Sequence, residues 1–279
     1  MGCMRGTRLA ARLALAVVLS GAVVTTGAGQ EAIKIDGSTG VAPLVAALAK
    51  AYQARAPSVV IEIGGGLNAK ERIEALSAGK IAIATASHGL KVDELTRSGM
   101  AVVEIARTPV VFAANAGIAV ANLSEDQVCA IYSARHANWR ELGGPDLAIA
   151  ARTRPDSEVD AEVVRDGVAC LKDLKMPESV KVMRRSGDMA AELASAPGAF
   201  GMTTSTVVEQ SGGKVRALAL NGINPDATNV AAGKYRLVRE AFLVTKRPPP
   251  AEVERFIAFI RSPDGAAVIT ANGAIATAR

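Results

Sequence analysis

Residues 33–66 read IKIDGSTGVAPLVAALAKAYQARAPSVVIEIGGG. A short strand with Ile33 and Ile35 on one side runs into Gly37-Ser38-Thr39-Gly40. Then Leu44, Leu48 and Tyr52 recur at i, i+4 and i+8, which is one face of a helix. Pro57 breaks that helix, and residues 59–63 read as a buried strand that stops at Gly64-Gly65-Gly66. A second helix carrying Ile73 and Leu76, ended by Gly79, leads to a third strand at 81–84. This βαβαβ order implies a parallel sheet covered by helices, so the chain is α/β. The first helical turn after Gly40 holds no side-chain charge. The glycine–hydroxyl loop before it is therefore either a packing turn or a socket for an anion.

Beyond this stretch the alternation continues. Two extended runs, at 102–106 and 109–120, carry no helical period. Ser124 and Gln127 are spaced as a capping box at a helix start, with Val128, Ile131 and Tyr132 as the apolar face. Strands are expected at 148–150, 180–183 and 200–202, with helices near 158–171 and 188–195, as a second βα lobe. An extended run at 237–245 precedes two helices, 251–261 and one opened by Pro263 at a favoured first-turn position.

Residues 1–28 read as a signal peptide. Arg5, Arg8 and Arg12 lead an apolar run at 13–24, and Thr26-Gly27-Ala28 supplies the small residues that suit cleavage near Ala28. The rival reading is a membrane anchor, because the run with its flanks approaches the ~20 residues that span a bilayer. Export to the periplasm is the expectation. Without this segment the formal charge falls from +5 to 5 − 3 = +2, with no clustered basic face, so nucleic acid is not an expected partner. Two cysteines remain, Cys129 and Cys170, and outside the cytoplasm an isolated pair suggests one structural disulfide. Two buried free thiols are the alternative.

Catalytic chemistry finds little support. The chain holds two histidines, His88 and His136, no H-x-x-x-H or Cys/His cluster, no G-x-S-x-G elbow and no Walker loop. No metal or other cofactor is expected. A Ser38–His88–Asp36 hydrolase is a remote alternative. Anion binding fares better: the loops at 37–40, 64–68 and 155–158 each follow a strand and precede a helix. Unpaired helix N-terminal N–H groups hold oxyanions, and open α/β sheets gather ligands at the carboxyl ends of their strands.

At these residues the chain resembles the substrate-binding proteins of phosphate-type ABC transporters. The resemblance is carried by Gly37-Ser38-Thr39 with Pro43-Leu44, the glycine turn at 64–66 and IAIATASH at 81–88. Further along come NLSEDQVCAIYSARHANWRELGGPDLAI at 122–149, GAFGMTT at 198–204 and SPDGAAVITANGAIA at 262–276. It implies a two-lobed periplasmic-binding fold of type II, with mostly parallel sheets joined by two hinge strands. Lobe 1 would hold residues 29–113 and 237–279, and lobe 2 residues 114–236. It further implies a non-enzymatic monomer that takes phosphate, or a related small anion, to a membrane permease. By the same resemblance Ser38, Thr39, Gly40, Gly65, Gly66, Ser87 and His88 contribute from lobe 1. Lobe 2 would supply Arg152 or Arg154 with Ser157. The chain departs from the family at Glu158 and Val159, where Gly and Thr are expected. That departure opens an alternative in which the fold serves sensing or protein interaction without oxyanion transport.

Overall fold

The computed structural model describes residues 1–3 and 32–277. Beyond its first three residues the expected signal peptide lies outside the described residues, as does its cleavage point. The chain first forms β1 (Ile33–Gly37), α1 (Ala42–Arg55), β2 (Ile61–Ile63), α2 (Ala69–Ser77), β3 (Ile83–Ser87), α3 (Val92–Arg97) and β4 (Met100–Asn115). The middle supplies β5 (Asn122–Leu123), α4 (Glu125–Tyr132), β6 (Ala150–Thr153), α5 (Val159–Gly167), β7 (Lys181–Val182) and α6 (Ser186–Ser195). It continues with β8 (Ala199–Thr204), α7 (Ser205–Gln210), β9 (Val215–Ala217), β10 (Ala219–Leu220) and α8 (Ala227–Ala231). Then come β11 (Val238–Lys246), α9 (Ala251–Ile260), α10 (Pro263–Ala271) and β12 (Ile275–Ala276).

The main strand order is β2-β1-β3-β11-β4-β8-β6-β7. At its two ends β2-β1-β3 and β8-β6-β7 are parallel, each joined by helical crossovers. The central pairs are antiparallel: β11 with β3 and β4, and β4 with β8. The two extended runs expected at 102–106 and 109–120 are largely one strand of 16 residues. From Met100 to Pro109 that strand pairs with β11, and from Val110 to Ala114 with β8. Pro109 has no N–H to donate to a ladder, and it stands where β4 exchanges one partner for the other. The molecule is two-lobed, and β4 runs through both lobes.

Each lobe has its own core. Ile33, Ile35, Leu44, Leu48, Tyr52, Phe256 and Ile269 pack on one face of the first sheet, and Leu76, Ala84, Met100 and Val244 on the other. The second lobe is built around Phe112, Tyr132, Trp139, Phe200 and Leu237. Trp139 is a packing residue: its indole lies edge-on to Phe200 with centroids 6.0 Å apart, and Nε1–H donates to the Gly198 carbonyl at 2.9 Å. Cys129 and Cys170 form a disulfide in this lobe, with Cα atoms 6.2 Å apart. The strand expected to be buried at 59–63 is shorter and lies at the sheet edge, with Val60 half exposed. A run of Val and Ile looks the same in sequence whether a neighbouring strand covers both flanks or only one.

Candidate functional site

The three loops singled out before helices converge on one cleft of about 720 Å³. Ser38 and Thr39 come from the end of β1, Gly65 and Gly66 from the turn after β2, and His88 from the end of β3. Ser157 and Glu158 face them from the loop before α5, and Arg184 and Arg185 from the segment before α6.

The first wall is a set of unused donors. The Ser38 carbonyl accepts from the amides of Val41 and Ala42, and the Ser38 amide donates to Thr85 O at 3.0 Å. The amides of Thr39 and Gly40 have no protein acceptor among the described residues. Thr39 Oγ1 is buried and likewise has no partner. Helix α1 begins without a side-chain cap and without an acid in its first turn, so the positive end of its dipole stays uncompensated. The glycine turn is fastened to this wall by Asp36, whose Oδ1 accepts from the amides of Gly37 at 2.7 Å and Gly66 at 2.9 Å. A Cβ at residue 64 would stand 1.9 Å from Asp36 Oδ2, so only glycine allows this approach.

Deeper in the site lies a buried ionic network that the sequence reading did not foresee. Arg239, on β11 and 3 % exposed, is ion-paired with Asp160 of α5, and its Nη2 donates to Ser38 Oγ at 3.4 Å. Arg154, 2 % exposed, stands with Nε 4.0 Å from Asp160 Oδ2 and donates through Nη2 to Glu158 Oε2 at 3.2 Å. Its Nη1 donates to Met183 O at 2.8 Å, while Nε has no hydrogen-bond partner. Buried charges persist only when paired and hydrogen-bonded, and removing one partner typically costs about 3–5 kcal/mol. The network therefore ties β11 to α5 and holds Arg154 against that helix.

Both candidate arginines are ion-paired within the second lobe. Arg152 is turned away and bound to Glu192 of α6 through Nε at 2.8 Å, with Nη1 on the Ala151 carbonyl. Ser87 is also outside the cleft, because its hydroxyl donates to the Glu240 carbonyl at 2.6 Å across the β3–β11 pair. Gly40 contributes space rather than lining: a Cβ there would meet the Arg239 guanidinium at 2.3 Å. His88 reaches the cleft with Nδ1 2.9 Å from Glu240 Oε2. A Ser38–His88–Asp36 triad does not form, since each of the three is engaged elsewhere.

Residues 22–264 of the chain match one family model, the PBP superfamily domain. The chain belongs to the PBP superfamily. It is 28% identical over 239 residues to the phosphate-binding protein PstS of Bacillus subtilis (strain 168), covering 83% of this chain and 76% of that protein. Among solved structures it is similar to a Clostridium perfringens protein described as a phosphate ABC transporter substrate-binding protein, with bound phosphate. That similarity has 27% identity and a TM-score of 0.70 over 88% of this chain and 100% of that one. It is also similar to an ABC-type phosphate transport receptor from Vibrio cholerae, with 25% identity and a TM-score of 0.59 over 87% and 99% of the two chains.

Within this PBP domain the residues missed by sequence reading are Arg239, Asp160, Arg72, Arg184 and Arg185. Arg239 carried one readable sign, a lone cation inside the apolar strand LVREAFLV. The pair Arg184-Arg185 was too short to count as a charge cluster, and only folding sets it opposite the glycine turn.

Proposed function

We propose that this chain is an exported solute-binding protein that closes its two lobes over phosphate, or a related small oxyanion, and hands it to the permease of an ABC transporter. The observation that carries the reading is the unpartnered donor set on the first wall: the Thr39 amide and the buried Thr39 hydroxyl. Facing it from the second lobe are Ser157 and Glu158 before an uncapped helix, with Arg154 paired to that Glu158. A buried hydroxyl without a partner is unfavourable by about 1–3 kcal/mol, which an oxyanion acceptor removes. The relatives' phosphate-binding names support the same ligand.

The mechanism involves no covalent step. The lobes, proposed to divide where β4 changes partners and again at the start of β11, approach by bending at these crossings. Closure replaces the anion's hydration shell with N–H and O–H donors. The periplasm, reached with the aid of the segment 1–28, and a monomeric state complete the proposal.

One observation favours a second reading. Glu158 already neutralises Arg154, as expected of a PBP domain used for sensing or protein contact in place of oxyanion transport. Thermal melting of the mature protein with phosphate, sulfate, molybdate and arsenate separates the two. Ligand at a hundred times its Kd adds about 2.7 kcal/mol, so the transport reading expects a clear phosphate-dependent rise in Tm. No rise with any of the anions overturns it in favour of the second reading.

A further inference from the structure

The cleft has a second cationic locus beside the oxyanion wall. Arg72 projects from α2 of the first lobe, while Arg184 and Arg185 precede α6 of the second, and all three line the cleft. None of them has a carboxylate within ion-pair distance among the described residues, whereas Arg152, Arg154, Arg165 and Arg239 each do. The opposing charge at this locus is Glu162, and the nearby Lys70 is 3.6 Å from Glu74. Three free guanidiniums against one free carboxylate leave an excess of two positive charges.

Arg72 is the most telling of the three. Its Nε is buried without a partner, and burial pulls its pKa below the ordinary arginine value. A partly desolvated, unpaired cation is unfavourable, and an anion bound against it would relieve that cost.

The two loci share the glycine turn. Thr39 touches Gly66, where a Cβ would come 2.5 Å from Thr39 Cγ2. Gly65, the preceding residue, stands opposite Arg185, whose Nη1 lies 3.8 Å from the Cβ position there. Gly65 and Gly66 are consecutive, so both loci border the same glycine turn.

We infer that the ligand is a phosphate carrying a second anionic group a few bonds from the first phosphorus, the first group at Ser38 and Thr39 and the second between Arg72 and Arg185. Inorganic pyrophosphate is the simplest such molecule. The inference rests on the proposed oxyanion site and deepens it.

Calorimetric titration of the mature protein, free of divalent cations, with phosphate, pyrophosphate and glycerol 3-phosphate tests it. Glycerol 3-phosphate matches the size but lacks the second charge. The expected result is pyrophosphate binding at least tenfold tighter than either of the others. In an Arg72→Gln/Arg185→Gln double variant, pyrophosphate should weaken at least tenfold more than phosphate does. Phosphate binding as tightly as pyrophosphate, or a margin that survives the double substitution, overturns the inference while leaving the oxyanion reading intact. Failure of all three to bind overturns both.

Discussion

Glu158 is the residue on which affinity turns. It caps α5 by position but makes no side-chain cap, and spends its carboxylate on Arg154 at 3.2 Å. An oxyanion that takes Arg154 must share it with this carboxylate. Two like charges ~4 Å apart repel by about 4 kcal/mol at an effective dielectric near 20, an upper figure because Glu158 is partly exposed and can swing outward. Glu158→Gln keeps the shape and removes the charge, so phosphate should bind about ten- to a hundredfold tighter, more so at low salt. Unchanged or weaker binding in a titration of this variant would mean that Glu158 already points away when the anion enters. The departure from the family pattern was readable in the residue letters. Its consequence was not, because a Glu beside an anion and a Glu folded onto Arg154 are written identically.

At the scale of single elements the sequence was most legible where partners are close in the chain. The Ser124–Gln127 capping box forms as its spacing requires, with the Gln127 amide on Ser124 Oγ at 3.2 Å and Gln127 Oε1 on the Ser124 amide at 2.8 Å. A second box, Asn138 with Glu141, opens the turn that carries Trp139 and was not anticipated. Glu141 accepts from the amides of Ala137 and Asn138 and from His136, with Nδ1 at 2.8 Å. The His136 hydrogen bond first, and the backbone amides after it, hold the Glu141 carboxyl below its usual pKa. A depressed folded pKa stabilises the protein above the ordinary carboxylate range, and this is lost as pH falls through the lowered value. Comparing melts of the wild type and Glu141→Gln across pH should show a gap near neutrality that closes as pH falls below the ordinary carboxylate range. A gap of constant size at every pH would assign the effect to shape instead of charge.

For the molecule as a whole, the lobes divide the work. The disulfide closes a 41-residue separation inside the second lobe, and loop closure of that length stabilises by about 4 kcal/mol in the chain-entropy model. Cys129 packs in that lobe's core, away from the cleft. Replacing both cysteines by alanine should therefore lower Tm markedly while preserving the increment that phosphate adds. Loss of the increment together with Tm would show that the lobe's packing sets the position of Arg154. Separately, scattering should report a smaller radius of gyration once phosphate is added, since closure on the anion is the only work proposed for the two crossings.

Read alone, the sequence determined what depends on near neighbours and on period. The βαβαβ order, the helix faces and the glycine loops before helices all follow from residues within a turn or two of one another. Tertiary structure alone decided the pairings between distant residues. Arg239 meets Asp160 across 79 positions and Ser38 across 201. Arg154 pairs with Glu158 while Arg152 turns to Glu192, and β4 passes unbroken between two lobes. The reason is physical: helix and turn signals are local energies, summed along the chain. Which of several equivalent cations is buried and paired depends on charges that only the folded sheet brings within a few ångströms.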